Sequence, residues 1–254
     1  MVFTEPIGLL DGTTAYKGGI AMATLGAADT GFPGGIVQLD PYTGWSWLLN
    51  NWFGLHFYIK DIVALPDGTL LFTNVSATIA TTLKNGETAE GVWALPPAGP
   101  ARMLIDDLYE TPNSVALTPD AKTLYVTTWA PLAFSDTKEV ARLTAGNKIY
   151  SFDLVMRNGG TFAGNRRLFA AIDIGFADGL KVDRYGSVWP CAGDGVQVFN
   201  AGRRLIGKTP LPLTYPNFLP LNRLSFAINH VVMLRHTRVT LLTTNTTFLE
   251  SDSA

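Results

Sequence analysis

The chain has 254 residues, of which 47% are hydrophobic and 16% are charged, against roughly 25% charged residues in typical soluble domains. A net charge of −2 excludes the basic surface that nucleic-acid binding needs. A single cysteine, Cys191, excludes an intrachain disulfide framework, and no apolar run reaches the roughly 18 residues that span a membrane. The glycines and prolines are spread along the whole chain, which favours many short strands joined by turns.

Two kinds of strand phrase alternate along the chain. The first consists of an apolar strand, a tight turn and a second apolar strand, and it covers residues 61–74, 114–128, 179–189 and, more weakly, 223–234. The second alternates apolar with polar or small residues and ends in turn residues, and it covers residues 35–44, 91–99, 148–153, 195–202 and 238–243.

Pairing the two phrases predicts five repeated units, which open at about residues 11, 61, 114, 179 and 223. The repeat of roughly 50 to 65 residues is that of a propeller blade or slightly longer, and one blade cannot bury its apolar faces alone. We therefore expect an all-β fold, a β-propeller, forming a single domain over residues 1–254.

Several sequence blocks carry a resemblance to a known family. The strongest are Asn-Trp-Phe-Gly-Leu-His-Phe at 51–57, Thr-Pro-Asn-Ser-Val-Ala-Leu-Thr-Pro-Asp at 111–120 and Ala-Asp-Gly-Leu-Lys-Val-Asp at 177–183. In these blocks the chain resembles the gluconolactonase/regucalcin (SMP-30-like) family of six-bladed propellers, particularly its fungal lactonohydrolase-like branch. The resemblance runs from about residue 8 to residue 243. It implies that one blade, at the N-terminus, is missing or truncated in this chain.

The resemblance also implies a divalent cation at the mouth of a central tunnel, held by a Glu, two Asn residues and an Asp. Asn113 matches one of these asparagines and Asp178 matches the aspartate, but Lys60 stands at the position of the other asparagine, and the Glu has no counterpart. Calcium needs about six to eight oxygen ligands, several of them anionic. We therefore expect no metal and no cofactor. The alternative is calcium or another divalent cation bound to Asn113 and Asp178.

Four residues are predicted to be catalytic: Lys60, Asn113, Asp178 and His236. The first three precede equivalent strands, so we expect them to face one cavity. Asp178 would act as a base or hydrogen-bond acceptor and Asn113 would orient a carbonyl group, while Lys60 would donate to an oxyanion or pair with Asp178. His236 stands at the position of a family acid and is a candidate acid or base. The alternative interpretation is that Asn113 and Asp178 only cap turns and Lys60 is a partly exposed rim residue.

Aromatic residues flank the starts of the strand phrases or lie in the longer connections. We expect them to line an apolar entrance for a small, flat organic substrate, although core packing is the alternative for each of them. These predicted substrate-binding residues are Trp52, Phe57, Tyr58, Trp129 and Phe176. Cys191 is predicted to be a small core side chain rather than a nucleophile.

Three functions compete at this point. The first is a metal-independent enzyme of fungal secondary metabolism that promotes a cyclisation, a hetero-Diels–Alder-type cycloaddition or a dehydration. The second is a divalent-metal-dependent lactonase, and the third is a non-catalytic binding propeller.

We expect no nucleic-acid or membrane partner, while a homodimer is one way to cover an open sheet edge. No signal peptide is expected at residues 1–6, so a cytoplasmic location is favoured. Secretion stays open if a leader was removed, and Asn74-Val-Ser76 would then be a glycosylation sequon.

Overall fold

The computed structural model describes the backbone of most of the chain. The described residues are 10–26, 33–75, 88–106, 108, 110–129, 147–175, 177–193, 195–210, 223–227, 230–235 and 238–243. Every regular element in these ranges is a β-strand. No helix long and apolar enough to cross a membrane occurs in them.

The strands form five sheets, and each sheet is built from strands that follow one another in the chain. The first sheet contains β1 (Leu10–Tyr16), β2 (Gly19–Thr24), β3 (Gly35–Asp40) and β4 (Gly44–Leu49). The second contains β5 (Ile59–Ala64), β6 (Leu70–Asn74), β7 (Gly91–Leu95) and β8 (Arg102–Ile105). The third contains β9 (Thr111–Leu117), β10 (Thr123–Trp129), β11 (Lys148–Arg157) and β12 (Gly160–Ala171). The fourth contains β13 (Leu180–Val182), β14 (Val188–Ala192), β15 (Gly195–Phe199) and β16 (Leu205–Pro210). The fifth contains β17 (Arg223–Ala227), β18 (His230–Arg235) and β19 (Arg238–Thr243).

These sheets confirm the five units predicted from the repeated phrases. They open at Leu10, Ile59, Thr111, Leu180 and Arg223, each within three residues of the predicted position. From the second sheet onward, the first phrase supplies the first two strands of each sheet, and in all five sheets the second phrase supplies the third strand. Short turns join many of these chain neighbours, such as β1 to β2 and β11 to β12, because antiparallel strands need only a short hairpin to pair.

The described residues fall into two compact units. The first consists of the described residues up to Pro112 together with Arg157–Thr161, the tip of the hairpin between β11 and β12. The second consists of the described residues from Asn113 to Met156 and from Phe162 onward. The first unit therefore contains the first two sheets. The expectation of a single domain over residues 1–254 stays a prediction.

The core of the first unit is built around aromatic rings. The ring of Phe57 meets the rings of Phe72 and Trp93 edge to face, at centroid distances of 5.4 and 5.2 Å. Trp52 approaches Trp93 in the same way, at 5.3 Å. Edge-to-face contacts of this kind bring the positive edge of one ring to the negative face of the next. All five residues of β6 are buried, so this strand carries the centre of the cluster.

The core of the second unit joins the third and fourth sheets. Tyr125 of β10 meets Phe169 of β12 at a centroid distance of 4.8 Å, and Phe169 approaches Phe199 of β15 at 6.3 Å. Leu180 and Val188, which belong to the first two strands of the fourth sheet, are buried in the same cluster. These contacts bury the apolar faces that each sheet presents to its neighbour.

Asn74, at the end of β6, is a buried polar centre of the first unit. It is fully buried, and its Oδ1 accepts a hydrogen bond from the Tyr58 amide at 2.8 Å. Its Nδ2 lies 3.2 Å from Thr88 O, 2.9 Å from Thr88 Oγ1 and 3.0 Å from Ala89 O. A glycan on Asn74 is incompatible with this arrangement, because Nδ2 is enclosed and already donates to these oxygens. Asn74 is therefore a structural residue in the folded chain.

Candidate functional site

Lys60, a predicted catalytic residue, and Asp11 lie at β-bulges in the first strands of the first two sheets. Leu10 of β1 pairs with Thr24, and regular pairing resumes only at Thr13. In the second sheet Ile59 of β5 pairs with Asn74, and pairing resumes at Asp61, so Lys60 is the extra residue of the bulge. Asp11 and Lys60 each directly follow the first paired residue of their strand, and the β1 bulge also contains Gly12. A bulge re-aims the side chain that it carries.

Lys60 forms an ion pair within the first unit. Its Nζ lies 3.6 Å from Oδ2 of Asp11, and the two side chains are only 24% and 17% exposed. A pair this enclosed is screened less by solvent than a surface pair. This exposure is compatible with the interpretation of Lys60 as a partly exposed rim residue, so its catalytic role stays a prediction. Asp11, an anion that lies beside Lys60, was not indicated by the repeated phrases.

Asn113 and Asp178 lie close together in the second unit. Both are buried, at 4% and 7% exposure. Nδ2 of Asn113 is 3.5 Å from the carbonyl oxygen of Ala177, the residue directly before Asp178. The backbone of Asp178 is held on both sides, because its amide donates to Cys191 O at 3.3 Å and its carbonyl accepts from Thr127 Oγ1 at 2.9 Å. The structure thus brings these two predicted residues together on a fixed backbone.

Threonine hydroxyl groups support the site positions in both units. Thr127 Oγ1 accepts from the Ser114 amide at 2.8 Å and donates to Asp178. In the first unit Thr73 Oγ1 accepts from the Asp61 amide at 3.0 Å, one residue after Lys60. These threonines were not predicted to support the site, although each accepts a hydrogen bond from the amide of the residue directly after the site position.

Cys191 takes the same position in the fourth sheet as these threonines take in theirs. Its amide donates to Gly179 O at 2.7 Å, one residue after Asp178. As the single cysteine of the chain it forms no intrachain disulfide, and the residue is fully buried. The prediction of a core side chain is confirmed.

Three of the aromatic residues predicted to line an entrance pack against the protein core. Phe57 is fully buried in the core of the first unit, where its ring contacts Phe72 and Trp93. Trp52 packs partly buried against the same core, and its Nε1 donates to Ala101 O at 2.9 Å. Tyr58 is 3% exposed and packs with Val75 and Leu25. These contacts favour core packing, the alternative interpretation, and the substrate-binding role of the three residues stays a prediction.

Three further predictions lie beyond what the structure describes. Trp129 ends β10, and only its backbone is described. Phe176 and His236 lie outside the described residues. Their assignments as substrate-binding and catalytic residues stay predictions.

The donors in the described ranges do not fit a tightly held divalent cation. No group of three or more His, Cys, Asp or Glu side chains able to hold a metal occurs there. The matched ligand positions of the second unit offer one amide and one carboxylate, Asn113 and Asp178. The remaining matched position carries an ammonium group that is paired with a carboxylate. Calcium would need about six to eight oxygens, several of them charged.

Comparison with known proteins identifies the family. Sheets of four consecutive strands with equivalent site positions are the repeated blades of a β-propeller. The family model described as "SMP-30/Gluconolactonase/LRE-like region" matches residues 34–220. The chain therefore belongs to this family of lactonase-like propellers, as the sequence blocks had indicated.

Two relatives come from the fungus Aspergillus oryzae. The chain is 30% identical to lactonohydrolase oryH over 190 residues, which is 70% of this chain and 39% of that protein. It is 25% identical to lactonohydrolase oryL over 215 residues, which is 76% of this chain and 48% of that protein. The chain thus spans less than half the length of both relatives.

A solved structure supports the same fold. The gluconolactonase from Xanthomonas campestris matches with a TM-score of 0.72 at 22% identity, over 92% of this chain and 71% of that chain. At this level of identity the likeness shows the fold alone. The prediction of an all-β propeller of the gluconolactonase type is confirmed.

Proposed function

We propose that this chain is an enzyme that acts on the carbonyl group of a small, apolar organic substrate without a tightly held metal ion. The observation that carries the proposal is the ammonium group of Lys60, which stands at a ligand position of the family and is paired with Asp11 at 3.6 Å. An ammonium held in an enclosed place supplies positive charge where charge develops on a carbonyl oxygen. In this chain it would take the role that the resemblance gives to a divalent cation.

Hydrolysis of a lactone is the reaction that we favour. Water would add to the ring carbonyl, the carbonyl oxygen would become an oxyanion, and the ring C–O bond would then break to give a hydroxy acid. The Lys60 ammonium would stabilise the oxyanion. The names of the two fungal relatives, both lactonohydrolases, support this reaction class. The catalytic roles expected for Asp178 and Asn113 of the second unit stay predictions.

Cyclisation, hetero-Diels–Alder-type cycloaddition or dehydration in secondary metabolism is the second candidate. The same ammonium favours it, because polarising a carbonyl also activates an enone. Holding two apolar partners in a reactive pose would supply most of the acceleration. It ranks second here because Phe57 and Tyr58, which were expected to form the apolar entrance, are buried in the protein interior, and Trp52 packs partly buried against the same core as Phe57.

The test is an assay of the purified chain against a panel of γ- and δ-lactones by pH-stat, with substituted enones followed by NMR. Each substrate is measured in buffer, with EDTA, and with added calcium. Lys60→Met removes the charge and keeps the length of the side chain, and Lys122→Met is the matched control at an exposed lysine.

We expect lactone turnover that EDTA leaves unchanged. Lys60→Met should lower kcat/KM by about 100-fold or more, the scale seen when one oxyanion donor is lost, and Lys122→Met should leave it unchanged. Loss of activity in EDTA with recovery in calcium would instead establish a metal-dependent lactonase. Turnover of enones alone would establish the cyclase, and no turnover of any substrate would favour a binding propeller.

A further inference from the structure

We propose that Asp11 is a positioning residue that holds the Lys60 ammonium in place for an oxygen atom of the substrate. The ligand class is a compound with a lactone carbonyl or the carboxylate that its opening produces. This inference rests on the proposed function, because it assigns a role within the same site. Neither the repeated sequence phrases nor the family resemblance assigned a role to Asp11.

The strand register places Asp11 and Lys60 in bulges of the first strands of their sheets. Asp11 directly follows the pair between Leu10 and Thr24, and Lys60 directly follows the pair between Ile59 and Asn74. The β1 bulge also contains Gly12, whereas Lys60 is the single extra residue of the β5 bulge. The close approach of β1 to β5 at Gly12 brings the two charged groups together although they belong to different sheets.

A backbone contact beside the ion pair fixes the two strands against each other. Gly12 follows Asp11 and Asp61 follows Lys60, and a Cβ atom at Gly12 would lie 2.1 Å from Oδ1 of Asp61 and 2.5 Å from its Cα. Only a residue without a side chain allows β1 to approach β5 this closely. Asp61 is itself anchored, since its Oδ1 accepts from the Ile62 amide at 2.9 Å. The ion pair therefore rests on two strands whose separation is set by contact.

The ion pair between Asp11 and Lys60 suits a positioning role for Asp11, both in restricting the lysine side chain and in charge. The Lys60 side chain is long and has many rotamers, and fixing it costs conformational entropy at the moment of binding. A carboxylate at 3.6 Å restricts the ammonium before the substrate arrives. Asp11 also compensates the positive charge, so that a neutral lactone can enter without leaving a lone charge in an enclosed place.

The experiment is a double-mutant cycle on the full chain. The variants are Asp11→Asn, Lys60→Met and both together, with Asp11→Glu as the conservative replacement. Asp40→Asn is the control, because Asp40 is an aspartate of the same sheet whose Oδ1 accepts amide hydrogen bonds that asparagine can keep. Values of kcat and KM are measured separately on a lactone that the wild type opens, and thermal unfolding shows that each variant is folded. Asp11→Ser replaces Asp11→Asn in the cycle if the latter does not fold.

We expect Asp11→Asn to lower kcat by about 10-fold, the lower end of the effect of residues that orient a reacting group, with KM changed by less than about 2-fold. Asp11→Glu should recover most of this loss, and Asp40→Asn should leave kcat unchanged. In the Lys60→Met background, Asp11→Asn should cost nothing further, because its effect passes through the ammonium.

The outcomes separate the two proposals. A wild type that opens no lactone overturns the favoured lactone hydrolysis and this inference with it. A wild type that opens lactones, with Asp11→Asn equal to it, overturns only the inference. Additive losses in the double variant do the same, because Asp11 would then act independently of Lys60.

Discussion

Replacing Asn74 by aspartate exchanges one amide nitrogen for an oxygen and keeps the shape of the side chain. In the wild type, Nδ2 faces three oxygens, Thr88 O, Thr88 Oγ1 and Ala89 O, at 2.9 to 3.2 Å. The Thr88 hydroxyl donates to His56 O at 2.8 Å, so its oxygen can only accept from Asn74. After the substitution, a carboxylate oxygen would face these three oxygens in a fully buried position.

The loss follows from the hydrogen bonds that are removed. The two hydrogens on Nδ2 disappear, and each lost bond to a buried acceptor costs about 1–3 kcal/mol once the acceptor is left unsatisfied. The bond from the Tyr58 amide to Oδ1 is kept. Two such losses, with a carboxyl group forced to stay buried, give a destabilisation of about 3–5 kcal/mol. At roughly 2–4 °C per kcal/mol for a chain of this size, Tm should fall by about 10 °C.

The destabilisation should depend on pH with a definite sign. Burial and the facing oxygens disfavour the charged form, so the pKa of the new carboxyl group should lie above its usual value in the folded state. A folded pKa above the unfolded one means that the folded variant binds the proton more tightly. Its stability is therefore greatest at low pH and is lost as pH rises through the folded pKa. The gap to the wild type should be smaller at pH 5 than at pH 8.

Urea unfolding of the wild type, Asn74→Asp and Asn50→Asp at both pH values measures this effect. Asn50 is exposed, and its Oδ1 accepts from Asn51 Nδ2 at 2.8 Å, a bond that aspartate keeps. The control should change stability by less than about 0.5 kcal/mol. If Asn74→Asp matched the control, or if its gap to the wild type widened at pH 5, the hydrogen-bond assignment of Asn74 would be refuted.

Three further substitutions test other parts of the structure. Gly12→Ala should prevent the approach of β1 to β5, because the added Cβ would lie 2.1 Å from Asp61 Oδ1. We expect calorimetry to show a fall in Tm of several degrees. An unchanged Tm would contradict the close contact. Phe57→Leu should lower the free energy of unfolding by about 1–3 kcal/mol and leave KM unchanged, because the ring fills the core. A raised KM with unchanged stability would instead indicate that Phe57 lines the substrate entrance. Hydrogen bonds from Arg167 and Asn165 hold the pKa of Asp153 at about 2, so this carboxylate stabilises the fold above the usual aspartate pKa, and the contribution is lost as pH falls toward 2. Asp153→Asn should therefore be slightly less stable than the wild type at pH 6, and the two free energies of unfolding should converge in acid. A difference in stability that grew in acid would contradict this assignment.

The sheets were predictable because their signal is local. Apolar alternation and turn residues within 15 residues or so specify a hairpin, and the phrase repeats often enough to show the period. The opening residues differ from prediction by up to three positions, because residues ahead of the apolar run also pair. Ile59 and Thr111 join their strands before the phrases begin.

The contents of the site were only partly predictable. Lys60, Asn113 and Asp178 were found because each precedes a copy of the first phrase. Asp11 was not found, because β1, with the sequence Leu-Asp-Gly-Thr-Thr-Ala-Tyr, lacks the apolar run that marks the other copies. Its role depends on a strand register and on a contact at Gly12, and neither can be read from the residue types alone.

The aromatic residues show a second limit on what the sequence alone can predict. A tryptophan or phenylalanine ahead of a strand can turn toward solvent or toward the core with the same local sequence. The ring of Phe57 turns toward the core because it packs against Phe72 and Trp93, which come from β6 and β7. Long-range packing of this kind decides whether a ring lines an entrance or fills the interior.

The hairpin tip Arg157–Thr161 has a consequence for the order in which the chain folds during synthesis. It belongs to the first compact unit, and Arg102 of β8 donates from its guanidinium group to the carbonyl oxygen of Thr161. A nascent chain ending shortly after residue 112 therefore already contains the first two sheets but still lacks part of the unit that they form. The ribosome must first make β9, β10 and β11. The early sheets would thus be completed by a segment made later, so that their final stability depends on translation having passed well beyond them.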